Sequence, residues 1–126
     1  MRIKILFLIL SCICFSCTKY GEITRIVIAD LESNAFEIND PDSILNLRRI
    51  MDNRSSTKRV PLRNKGRVDI YLYDSSGNYI MWLFCNTPQY GPLLVKENSN
   101  STIYKNAGLD SFFKEFRKQN PTFNYW

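Results

Sequence analysis

Apolar residues alternate with polar ones or run in β-branched clusters over most of this chain, and recur at helical spacing in two places. Ile23 to Ala29 and Ala35 to Ile38 read as strands joined by a turn over Leu31-Glu-Ser-Asn34. Asp40-Pro41-Asp42-Ser43 marks a helix start, with Asp as N-cap, Pro at the first helical position and an acid beside the positive dipole end. Ile44, Leu47, Ile50 and Met51 then line one side through Asn53, which predicts an apolar stripe packed on a core. A short strand is expected around Arg59 to Leu62, and further strands over Pro92 to Lys96 and Thr102 to Lys105. Asp110 is read as the cap of a last helix carrying Phe112, Phe113 and Phe116 and ended by Asn120-Pro121. The order β-β-α-β-β-β-β-β-α predicts an α+β fold: one small domain whose antiparallel sheet is backed by one or two helices.

Val68 to Asp74 and Tyr79 to Cys85, flanking Ser75-Ser-Gly-Asn78, form the strongest hairpin signal. A four-residue turn sets Tyr73 opposite Ile80, Tyr71 opposite Trp82 and Asp69 opposite Phe84. Leu72, Ile70 and Val68 then face Met81, Leu83 and Cys85. On this register the aliphatic face is the core. The face with Tyr71, Tyr73, Ile80, Trp82 and Phe84 is either covered by helices or a second sheet, or is an interaction surface. A slip of one residue would reassign every pair.

The first seventeen residues carry a different kind of information. Arg2 and Lys4 form a positive n-region, and Ile5 to Phe15 an apolar run too short to span a bilayer as a helix. This is the pattern of a secretory signal peptide. Phe15-Ser16-Cys17-Thr18-Lys19 resembles the lipobox of bacterial lipoproteins, with Cys14 departing from the leucine usual three residues before the cysteine. The resemblance implies cleavage before Cys17 and lipidation of it, hence a signal over 1–16, a lipidated cysteine and tether over 17–22, and a domain over 23–126. The expected location is the bacterial cell envelope, with the membrane engaged through the lipid. The opening strand with Ile23, Ile26 and Ile28, the helix Asp40 to Asp52 and the turn Tyr73-Asp-Ser-Ser-Gly-Asn78 also resemble small uncharacterised bacterial lipoproteins, a resemblance that carries no activity or site residues.

Composition narrows the chemistry. The chain has no histidine, which removes the commonest general base and metal ligand. Three of four cysteines lie in the signal or at its end, so Cys85 is the one thiol of the domain and reads as a small buried hydrophobe. These absences point away from an enzyme, from metals and from cofactors. Carboxylate-only hydrolysis of envelope glycans is the weakest expectation, because no paired carboxylates stand out.

Charge is unevenly spread. Glu22 to Asp42 holds six acids against Arg25, whereas Arg48 to Arg67 holds eight bases against Asp52: Arg48, Arg49, Arg54, Lys58, Arg59, Arg63, Lys65 and Arg67. The two stretches either pair or make a dipolar surface. The basic run is a solvated loop or a contact for lipid phosphates, anionic polymers or an acidic protein patch. No nucleic acid is expected of an exported protein whose basic run lacks interleaved aromatics. The aromatic tail Pro121 to Trp126 either folds onto the core or offers its carboxylate to a partner. Together these readings predict a lipid-anchored envelope protein that binds an envelope protein or anionic surface without catalysis, with Arg48 to Arg67, Tyr71, Tyr73 and Trp82 as candidate contacts. A membrane-tethered immunity or inhibitor protein is the alternative.

Overall fold

A computed structural model describes residues 22–57, 67–97 and 102–125. The expected signal, Cys17, most of the tether, the strand around Arg59 to Leu62 and Trp126 lie outside the described residues. The rest is an α+β domain, as the element order predicts. The strands are β1 (Ile23–Ala29), β2 (Ala35–Ile38), β3 (Ser55–Thr57), β4 (Arg67–Asp74), β5 (Tyr79–Thr87), β6 (Gly91–Lys96) and β7 (Ile103–Lys105), and the helices α1 (Pro41–Asp52) and α2 (Ala107–Gln119). The strands form one antiparallel sheet in the order β2-β1-β4-β5-β6-β7-β3.

Two local predictions need correction. Asn78 does not sit in the hairpin loop. It joins the ladder opposite Asp74, whose N–H donates to the Asn78 carbonyl at 2.9 Å. The loop is Ser75-Ser76-Gly77, with Gly77 at φ +87°, and the Asp74 carboxylate accepts from the N–H groups of Ser76 and Asn78. Spending one fewer residue in the turn shifts the register by one, so Tyr73 faces Tyr79, Tyr71 faces Met81, Ile70 faces Trp82 and Val68 faces Phe84. The second correction concerns Asp110: the N-cap of α2 is Asn106, whose side chain accepts from Leu109 N–H. Asp110 lies one turn inside the helix, where it accepts from Asn86 and from the Tyr125 hydroxyl at 2.5 Å. Burial pushes the Tyr125 hydroxyl well above its ordinary pKa, and the bond to Asp110 pushes it the same way.

Both helices pack on one face of the sheet. Ile26, Ile28, Val68, Ile70, Leu72, Trp82, Phe84 and Leu94 meet Ile44, Leu47 and Met51 of α1 and Leu109 and Phe113 of α2 in a single cluster. At roughly 1.5–3 kcal/mol for each large side chain removed from water, this cluster is the main stabilising term. The aromatic tail closes it, because Phe123 and Tyr125 are buried and Phe123 meets Phe36, Phe113 and Phe116. Asp30 clamps that tail to the β1–β2 turn: its carboxylate accepts from the N–H groups of Glu32, Asn34 and Asn124 and from the Asn34 side chain.

Asn106 joins the two helices. It is 1% exposed, and its amide donates to the Ile50 and Met51 carbonyls at the end of α1 while its oxygen caps α2. Gly108 allows the close approach, since a Cβ there would stand 3.1 Å from the Ile50 side chain.

Replacing Asn106 by Asp keeps the acceptor that caps α2 and deletes both donors to α1. The expected cost is about 2–3 kcal/mol, measured as a lower urea midpoint, with partial recovery in acid as the new carboxyl regains a proton. Asp30 supplies a second test. Burial opposes its ionisation, but four hydrogen bonds outweigh burial and hold its pKa below the ordinary 3.8. A depressed native pKa contributes stability that is complete above the unfolded value and is lost as pH falls through the native one. Asp30→Asn is therefore expected to lower stability at pH 7 by about 1–2 kcal/mol and to converge with the wild type in acid unfolding curves.

Candidate functional site

The new register separates the tyrosines from the tryptophan. Trp82 and Phe84 join Ile70 and Val68 beneath the helices, so the expected face that grouped Tyr71, Tyr73, Ile80, Trp82 and Phe84 does not exist. Tyr71 and Tyr73 point the other way with Tyr79, and the three rings lie within 6.4 Å of their neighbours. Arg25 stands 4.2 Å above the Tyr73 ring. Val27, Met81, Leu83 and Val95 continue this face half-buried, and Cys85, Leu93 and Ile103 are buried on it. Among the described residues no helix covers it.

The helix side holds a cavity of about 150 Å³ between the end of α1 and the strands β4, β5 and β6. Leu72, Ile80, Met51 and Trp82 give it an apolar wall, and Arg48, Arg54, Lys96 and Asp52 are its charged groups. The local sequence explains the arrangement. Helical spacing turns Ile44, Leu47 and Met51 into the core and leaves Arg48, one position beyond Leu47, at the cavity rim. Arg54 follows the C-cap Asn53, where the chain leaves α1 for β3.

Arg54 is the most constrained cation in the site. Its guanidinium stands 4.7 Å from the Trp82 ring and 4.9 Å from the Tyr104 ring, so two aromatic faces hold it. Nη1 donates to the Met51 carbonyl at 2.9 Å and to Asp52 at 3.3 Å. Among the described residues Nε and Nη2 have no bonding partner, which leaves one edge of the fork for an anion with paired oxygens. The chemistry on offer is recognition: a fixed guanidinium, two further cations and an apolar wall. Among the described residues no group of three metal-ligating side chains stands together.

The other expected contacts are dispersed. Arg49 is exposed on α1 away from the cavity lining, and Arg67 starts β4 paired with Asp69 at 2.8 Å on the opposite face. Lys58, Arg59, Arg63, Lys65 and Cys17 lie outside the described residues. Lys96, Tyr104, Met51 and Asp52 belong to the site without having been expected there. Lys96 reaches it because Trp82 pairs with it across β5 and β6, a contact that only strand order reveals. Among the described residues no ion pair joins the acidic stretch 22–42 to the basic stretch 48–67.

No family model, curated protein or solved structure matches this chain. Among the described residues no helix is long and apolar enough to cross a membrane.

Cys85 is 3% exposed, and burial pushes its thiol above the ordinary value. A thiol held protonated and out of reach is a poor nucleophile. With the intact domain in native buffer, Cys85 is expected to react with a chromogenic disulfide at least about 100-fold more slowly than in denaturant.

Proposed function

We propose that this protein is a lipid-anchored, non-catalytic binding protein of the bacterial cell envelope that recognises an anionic group through the Arg54 cavity. One observation carries the recognition half: Arg48, Arg54 and Lys96 converge around an apolar wall with Trp82, one carboxylate opposing them. Surface cations alone are a weak argument, since exposed ion pairs contribute little. Here Arg54 is held by two rings and a backbone carbonyl, so little side-chain freedom is lost when an anion arrives. The anchor half is supported by the n-region, the short apolar run and Ser16-Cys17.

The two halves can be tested apart. Cys17→Ser is expected to move the protein from the membrane fraction to the soluble fraction of its cells. Arg48→Glu with Lys96→Glu is expected to stay membrane-bound and to lose, by about tenfold or more, the anionic component crosslinked to the wild type, as read by mass spectrometry. Undiminished membrane retention of Cys17→Ser would remove the anchor. Undiminished capture by the charge-reversed protein would remove the cavity.

A further inference from the structure

We propose that the cavity binds the phosphate headgroup of anionic phospholipids in the membrane that holds the anchor, and that this end of the domain lies against that membrane. The inference rests on the reading of Cys17 as the lipid-bearing residue. It follows from where the chain comes into the sheet.

Cys17 precedes Ile23, the first residue of β1, by six residues, at most about 20 Å of extended chain. Ile23 pairs with Asp74 at the hairpin turn, so the lipid would hold the domain by its turn end. The cavity lies at that end. Leu72 and Ile80 of its wall share the cross-strand row of Ile26, three residues into β1, and Lys96 closes β6 beside Trp82. The tethered end therefore carries the fixed guanidinium.

The side-chain chemistry of this end suits a phospholipid interface on both faces of the sheet. On the helix side, Arg48, Arg54 and Lys96 line the cavity with Asp52, and the unused edge of Arg54 matches paired phosphate oxygens. On the other side, Tyr71, Tyr73 and Tyr79 cluster, with Arg25 over the Tyr73 ring and near Glu37 and with Tyr79 51% exposed. Tyrosine and arginine each join an apolar body to a polar tip, which favours the boundary between acyl chains and water.

Acids and bases are mixed at this end. Asp40 and Asp42 begin α1, six to nine residues before Arg48 and Arg49, roughly 9–14 Å at 1.5 Å per residue, and Asp40 follows Ile38, which pairs with Ile26 in the cavity's cross-strand row. Asp30 and Glu32 follow β1 at the far end of the sheet. Glu22, Asp74 and Glu97 also share the tethered end, so the attraction is local to the cavity and not a property of the whole surface.

The test uses the full acylated protein reconstituted in vesicles of phosphatidylcholine, with or without about one-third phosphatidylglycerol, and follows amide exchange by mass spectrometry. The expected result is exchange slowed by about fivefold or more around Arg48 to Thr57 and at the end of β6 in the phosphatidylglycerol vesicles, reversed in high salt. Arg48→Glu with Lys96→Glu should abolish this difference while the protein stays on the vesicle. The salt arm needs no substitution and stands if that variant unfolds. Equal exchange in both vesicles, or equal protection of detergent-solubilised protein by millimolar glycerol 3-phosphate, would overturn the proposal in favour of a protein or soluble ligand. Fractionation of Cys17→Ser judges the anchor separately, so loss of the headgroup site and loss of the anchor give different results.

Discussion

A single buried amide sets the relation between the two helices. Asn106 follows the last strand, caps α2 through its oxygen and binds the last carbonyls of α1 through its nitrogen. An unpaired amide in such a place would cost several kcal/mol, so the packing that satisfies it is strongly preferred over its neighbours. The position of α1 follows, and with it the position of Met51, whose carbonyl also receives Arg54. Helix packing, the Arg54 guanidinium and the cavity are thus parts of one arrangement. The close approach at Gly108 serves the same contact.

The sheet divides the molecule chemically. Its helix side is a continuous core of aliphatic and aromatic groups, and its other side is a tyrosine-rich surface without a described covering element. That division depends on the hairpin spending three residues in its loop. Gly77 takes a left-handed conformation at no steric cost, which lets Asn78 return to the ladder one residue early. One residue of register then decides that Trp82 sits beneath Arg54 and that the tyrosines do not.

Much of the fold was legible in the chain. Asp40-Pro41 and the spacing of Ile44, Leu47 and Met51 predict α1 where it lies, because capping and helical periodicity are local properties. The strands from Ile23, Ala35 and Gly91 follow for the same reason, and the burial of Phe123 and Tyr125 agrees with an aromatic tail folded onto the core. The misreading of Asp110 shows the limit of local signals. Asn106 takes the cap position four residues earlier, where its amide also satisfies α1 carbonyls remote in the chain.

The candidate site was legible only in its ingredients. Arg48, Arg54 and Trp82 stand out as a basic segment and an aromatic strand, but nothing in their order along the chain says that they meet. Lys96 was invisible because its role comes from lying beside Trp82 across a strand pair. The sequence by itself determined the element order, the acidic and basic regions, the want of histidine and the signal-like start, since composition and short-range periodicity are written residue by residue. Only the tertiary structure decided the hairpin register, the helix-to-helix clamp and the convergence of three cations on one cavity. Those depend on pairings between distant segments, where the geometry of a turn and the satisfaction of one buried amide outweigh local preference.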